Sequence, residues 1–183
     1  MNARLIGLCG PAGAGKNTVA ELLADAERCS FHQLAFADPI YECISVVTGI
    51  PVAGLQRRDV KEAIIPWLGQ SPRQMLQTLG TEWGRDTVHQ EIWVRKAIQQ
   101  AIPHLAVGRS VVITDVRFDN EAKAVIDAGG EVWKVTRPGW QCLDDGTATH
   151  QSEAGISDHL IARTIDNSGS LDDLRRQLSA ATI

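Results

Sequence analysis

The sequence of 183 residues predicts a doubly wound α/β fold, with a central parallel five-stranded sheet covered by helices on both faces in three layers. Three observations predict it. Short, continuously apolar runs alternate with segments whose apolar residues recur every three or four positions, as buried parallel strands and their crossover helices do. The first of these strand and helix segments are joined by the glycine-rich turn GPAGAGK, a short connection suited to a right-handed crossover. A hydrophobic content of 44% is enough for one buried core in a chain of this length.

Taken in order, ARLIGLC is a buried central strand closed by Gly10, and KNTVAELLADAER continues as a helix. FHQLAFA reads as a short second strand ending at Asp38-Pro39, and IYECISVVTG follows as a helical or mixed segment. From about 50 to 103 strand signal is scarce. SPRQMLQTLGTEWGRDT and HQEIWVRKAIQQAI carry helical periodicity instead, with Ser71-Pro72 as cap and first turn, so a helical substrate-side insertion is expected there. RSVVITDV is the next strand, FDNEAKAVIDAGG a helix stopped by Gly129-Gly130, and EVWKVTR a further strand. The stretch from about 138 to 158 is rich in turn formers and reads as a lid-like segment. LIARTID and SLDDLRRQLSAA close the chain as a last strand and a last helix capped by Ser170. One domain over 1–183 is expected.

With 18 basic and 22 acidic residues the formal charge is -4, which argues against a broad positive face for a nucleic acid polymer. Cys9, Cys29, Cys43 and Cys142 form no C-x-x-C pair and read as reduced thiols of a cytosolic protein. No signal-peptide pattern and no bilayer-length apolar stretch is present, so no membrane partner is expected and the location expected is cytoplasmic.

The chemistry begins at Gly10, Gly15 and Lys16, whose G-x-x-x-x-G-K spacing is that of a Walker A phosphate loop. Glycines at 10, 13 and 15 let main-chain N–H groups turn toward an anion, the following helix adds its positive dipole end, and Lys16 reaches the phosphates. Gly13, Ala14, Gly15, Lys16, Asn17 and Thr18 are therefore candidates for a nucleotide phosphate site. Asn17 stands where such loops carry a magnesium-binding hydroxyl; its amide oxygen can serve the metal, Thr18 can serve it, or Asn17 caps the helix. Asp115, at the end of a buried strand, suits the water shell of Mg2+, and Arg117 two residues on can face the phosphates. Asp38 is placed as a base or as an anchor for an acceptor hydroxyl. Arg85 can clamp an acceptor phosphate and Arg137 can neutralise charge during transfer. His150 and Glu153 can meet a sugar or base, Trp83 and Trp140 can stack on one, and Arg57 and Arg58 fit solvent better than phosphate.

Together GPAGAGKNTVA, LGTEWGRD, TDVRFDNEA, RPG, HQSEAG and IDNSGSLDDL resemble the phage-type deoxynucleoside monophosphate kinases, a branch of the nucleoside-monophosphate kinase-like P-loop proteins. The resemblance spans nearly the whole chain in order. It implies a P-loop kinase-like fold and transfer of the γ-phosphoryl group of ATP, with Mg2+, to a deoxynucleoside monophosphate, in a monomer or homodimer. It further implies that Gly13, Gly15, Lys16, Asn17 and Thr18 hold the phosphates of ATP, that Arg85 and Arg117 meet the monophosphate, that Glu153 lies near the nucleoside, and that Asn167 leans on the adenine of ATP. The family commonly reads G-K-D-T where this chain has G-K-N-T. The alternatives are another small-molecule kinase of this fold, of the dephospho-coenzyme A or adenylate kinase type, and a non-catalytic nucleotide-binding module.

Overall fold

In a computed structural model the described residues are 3–26, 31–138 and 155–182. They divide between two compact units, one formed by Met1–Ala35 with Ala97–Ile183 and the other by Phe36–Lys96.

The first unit is built on five parallel strands, β1 (Leu5–Cys9), β2 (His32–Leu34), β3 (Val111–Ile113), β4 (Glu131–Thr136) and β5 (Arg163–Asp166), in the order β2-β3-β1-β4-β5. All five residues of β1 are buried, as its unbroken apolar sequence requires of a central parallel strand. Helix α1 (Lys16–Ala26) and helix α8 (Leu171–Thr182) cover one face, where Val19, Leu23, Leu174 and Leu178 close a core over Ile6, Leu8, Val112, Trp133 and Ile165. Helix α7 (Asp119–Asp127) packs on the other face: a Cβ at Gly7 of β1 would meet Val116 at 2.9 Å and Val125 at 3.3 Å. The sheet is thus covered on both faces, as the alternation of apolar runs predicts. Ser170 caps α8 in reciprocal fashion, its hydroxyl accepting from the Asp173 amide while Asp173 accepts from the Ser170 amide.

In the second unit the described elements are helical: α2 (Asp38–Thr48), α3 (Val52–Gln56), α4 (Arg58–Glu62), α5 (Pro72–Gln77), a π-helix over Thr78–Val88, and the start of α6 (Ile92–Ala106), whose later turns belong to the first unit. Ser71 caps α5 as its position before Pro72 predicts, with Gln74 returning a bond to the Ser71 amide. One expectation needs correction. The second strand stops at Leu34, and Asp38 is the first residue of α2, because Pro39 fits the opening turn of a helix, where no N–H is required of it. The helical periodicity of SPRQMLQTLGTEWGRDT is realised as α5 followed, from Thr78, by the π winding.

Among the described residues no helix is long and apolar enough to cross a membrane.

Candidate active site

Strand β1 delivers its chain to a loop that only glycine can complete. Gly10 has φ 131° and Gly15 has φ 93°, conformations that side chains on L-residues rarely adopt. Space is equally tight: a Cβ at Gly10 would lie 2.2 Å from the Val135 carbonyl oxygen, and one at Gly15 would lie 2.1 Å from Asn167 Nδ2. The loop is therefore wedged against the ends of β4 and β5. Inside it, the Ala14 amide donates to the Pro11 carbonyl at 3.2 Å, and Ala14 itself is fully buried.

Lys16 opens α1 and bends back over this loop, its Nζ donating to the carbonyls of Gly10 at 2.8 Å and Pro11 at 2.9 Å. Burial holds its pKa below the usual lysine value, and the nearby Arg117 charge pushes the same way, while Cys9 and Asp115 oppose them. Lys16, Arg117 and Asp115 thus lie within electrostatic reach of one another. This follows from topology, since β3 neighbours β1 in parallel and both strands point their carboxyl ends to the same edge. Burial raises the Cys9 thiol pKa in turn, against the pull of Lys134 and Lys16.

Asp115 and Arg117 lie in the turn between β3 and α7. That turn is fixed by Glu121, a carboxylate only 2% exposed, which accepts from the amides of Arg117 at 2.7 Å and Phe118 at 3.1 Å. The Arg117 main chain is held while its side chain stays exposed. Asp119, at the start of the same helix, accepts from the amide and hydroxyl of Ser157 at 2.8 and 2.6 Å, and these bonds lower its pKa. Arg137 follows β4 directly and is exposed.

Asn167, the residue after β5, joins the loop from the far side. Its amide N–H donates to the Thr136 carbonyl at 2.7 Å, and its side-chain Nδ2 donates to the Ala14 carbonyl at 2.8 Å. Its side chain thus contacts the phosphate loop, a contact that sequence alone does not reveal. Asn17 is exposed at the second position of α1, one residue inside the helix, and Thr18 follows half-buried.

The carboxyl edge of the sheet therefore gathers Gly13, Ala14, Gly15, Lys16, Asn17, Thr18, Asp115, Arg117, Arg137 and Asn167 in one unit. Asp38 and Arg85 belong to the other unit, Asp38 at the start of α2 and Arg85, half-buried, in the π-helix. Trp140, His150 and Glu153 lie outside the described residues, as does most of the 138–158 segment. Trp83 is 48% exposed with its ring 6.4 Å from that of Trp93, Arg57 pairs with Asp59 on the surface, and Arg58 is exposed. Sequence reading passed over Glu121 and Trp93; an acid three residues after Phe118 at a helix start was a usable sign for the first.

The model of the deoxynucleotide monophosphate kinase family matches residues 52–178. The chain belongs to the deoxynucleotide monophosphate kinase family. A putative deoxynucleotide monophosphate kinase of Acanthamoeba polyphaga mimivirus is 36% identical over 169 residues, covering 83% of this chain and 81% of that protein. The deoxynucleoside-5'-monophosphate kinase of Escherichia phage T5 is 31% identical over 181 residues, covering 65% of this chain and 70% of that protein. Among solved structures, an APS kinase mutant from Mycobacterium tuberculosis superposes with a TM-score of 0.52 at 12% identity, covering 99% of this chain and 97% of that one. That likeness establishes the P-loop kinase fold for this family member. The enzyme is a phosphotransferase that uses ATP and acts on a nucleotide.

Proposed function

We propose that this kinase transfers the γ-phosphoryl group of ATP, as its magnesium complex, to a deoxynucleoside monophosphate, giving the diphosphate and ADP. The observation that carries the proposal is the phosphate loop, whose lysine lies in electrostatic reach of Asp115 and Arg117 at one sheet edge, in a chain of this family. Phosphoryl transfer needs little covalent help from protein; it needs positioning and neutralised charge.

In this reading the loop amides and Lys16 hold the triphosphate, and Lys16 gives up its bonds to the Gly10 and Pro11 carbonyls to do so. The Arg117 side chain, exposed above a clamped main chain, neutralises phosphate oxygens shared between donor and acceptor. Arg137 adds positive charge at the end of β4. Arg85 grips the acceptor phosphate, Asp38 orients the acceptor, and Trp140, His150 and Glu153 serve its nucleoside end. The insertion at about 50–103 and the 138–158 segment then serve substrate and closure within one kinase domain.

The donor set fits magnesium in the manner usual for nucleotide enzymes, one carboxylate with hydroxyl or amide oxygens and the remaining positions left to phosphate and water. Among the described residues no group of three His, Cys, Asp or Glu side chains stands ready for a metal. Asp115, Thr18 and the Asn17 amide oxygen would hold it, and its role is to screen phosphate charge. We place the enzyme in the cytoplasm, acting on small nucleotides without a membrane or nucleic acid polymer as partner.

The test is ADP formation with ATP and magnesium across a panel of ribo- and deoxynucleoside monophosphates. Turnover that depends on a deoxynucleoside monophosphate is expected. Nucleotide binding without acceptor-dependent turnover would leave a binding module instead, and turnover with dephospho-coenzyme A alone would reassign the acceptor.

A further inference from the structure

The segment that carries Arg85 is wound as a π-helix over Thr78–Val88. Such windings are rare in soluble proteins and recur at functional sites, because their bonds are less favourable than those of an α-helix and something else must hold them. Local bonds do part of this: the His89 amide donates to the Gly84 carbonyl five residues back at 2.9 Å, and the Thr87 hydroxyl to the Glu82 carbonyl at 2.8 Å.

The rest comes from Trp93 of α6. This tryptophan is only 6% exposed, and its indole N–H donates to the Gly80 carbonyl at 2.7 Å in a buried bond. Its ring lies so close to the helix that a Cβ at Gly84 would sit 2.6 Å away. Gly80 is tight as well, with the methyl end of Ile40 at 3.1 Å from the position of a Cβ. Gly84 therefore leaves on the π-helix the space for a ring that also donates a hydrogen bond to the Gly80 carbonyl.

The choice of carbonyl matters. A π-helix pairs the carbonyl of residue i with the amide of residue i+5, so the Gly80 carbonyl is the one whose π partner is Arg85. An α winding would pair that carbonyl with residue 84 and rotate Arg85 about the helix axis. The indole thus bonds the carbonyl on which the placement of Arg85 depends.

We propose that Trp93 is a positioning residue for the acceptor phosphate: by holding the π winding through the Gly80 carbonyl, it sets the direction of the Arg85 guanidinium. This rests on the reading of Arg85 as the acceptor clamp. It goes beyond that reading by assigning the specificity of the clamp to a buried tryptophan that touches no substrate.

The experiment is steady-state kinetics on Trp93→Phe, Arg85→Ala and the double variant, with acceptor and ATP each varied. Trp93→Phe keeps an aromatic ring and loses the donor. A rise in acceptor KM of about five- to tenfold is expected from one misplaced charge-assisted contact, with kcat and the KM for ATP within about twofold. In the Arg85→Ala background the same change should add nothing, since the group it places is gone. A merely structural tryptophan would lower the active fraction, and so kcat, without moving KM; that pattern overturns the proposal. An equal KM effect in both backgrounds overturns it too. Arg85→Ala alone reports on the clamp: if it leaves acceptor KM unchanged, the reading of Arg85 fails first. Should Trp93→Phe fold too poorly to assay, Gly84→Ala carries the test, because its Cβ must push ring and helix apart, and an unchanged acceptor KM there is again refutation.

Discussion

Replacing Asn167 by alanine removes the 2.8 Å bond from its side chain to the Ala14 carbonyl and empties the space beside Gly15. A neutral hydrogen bond contributes about 1 kcal/mol net, and about 1.4 kcal/mol is a factor of ten, so a loosened loop should bind triphosphate roughly fivefold more weakly. The same loss from the folded state should lower Tm by about 2–4 °C in a chain of this size. Isothermal calorimetry with ATP and, separately, with inorganic tripolyphosphate measures the first effect, and differential scanning calorimetry the second. The two ligands separate two roles. If Asn167 pins the loop, both weaken alike. If it serves the adenine, ATP weakens and tripolyphosphate does not, and the argument from the Ala14 bond is refuted. Asn167→Asp should be worse than alanine, since a carboxylate cannot donate to the carbonyl and sets a negative charge beside the phosphate site, an effect that added salt should reduce.

Lys16→Ala should abolish turnover while far-UV circular dichroism stays unchanged; retained turnover would remove Lys16 from the mechanism. Because burial and Arg117 depress the Lys16 pKa in the free protein, and bound phosphates would raise it, nucleotide binding should take up protons as pH climbs through the free-state value, and affinity should fall above it. Calorimetry in buffers of different ionisation enthalpy reads that uptake directly. For the fold the sign is opposite to that of a salt-bridged lysine: the cost of burying charged Lys16 is fully present below its folded pKa and is relieved as pH rises toward the unfolded value. Arg117→Ala should lower kcat/KM for the acceptor by about ten- to a hundredfold, the worth of a charge-assisted contact, with no change in Tm, because only its main chain is bonded to Glu121. Asn17→Asp should lower the magnesium concentration for half-maximal rate; a titration that does not move would leave the metal to Thr18 and Asp115.

The parallel sheet was most legible at its centre, where β1 and β3 are buried at every residue and so carry no polar alternation to confuse with a surface strand. RSVVITDV and EVWKVTR each announce a strand, and Gly129, at φ 82°, sits beyond the end of α7 where its sequence places a stop. FHQLAFA misled for a physical reason. Its apolar alternation continues past Leu34 into residues that are buried outside any strand, such as Phe36, and periodicity cannot tell burial from strand membership. The π winding at Thr78–Val88 was illegible, since residues that suit an α-helix also suit a π-helix and the difference lies with Trp93, which is outside the segment on the next helix. At the phosphate loop, spacing alone pointed to Gly10, Gly15 and Lys16. The partnership of Asn167 with Ala14 bridges 153 positions and rests on strand order, which no local pattern encodes.

Strand order and helix boundary also bear on Asn17. A residue that caps a helix stands outside its first turn, yet α1 begins at Lys16 and puts Asn17 one position inside it, exposed, where an asparagine is a mediocre helix former with little capping left to do. Capping therefore does not account for the amide. An aspartate at this position would set a carboxylate next to the lysine; with Asn17 the negative charge that acts on Lys16 comes from Asp115 and, when ionised, Cys9. Removing one acid from a site whose cations are Lys16 and Arg117 leaves more net positive charge for the triphosphate and less for the metal to bind. Compared with an aspartate, Asn17 should thus favour tighter binding of metal-free nucleotide and a higher magnesium requirement for turnover, a trade that follows from Coulomb's law among Lys16, Arg117 and Asp115.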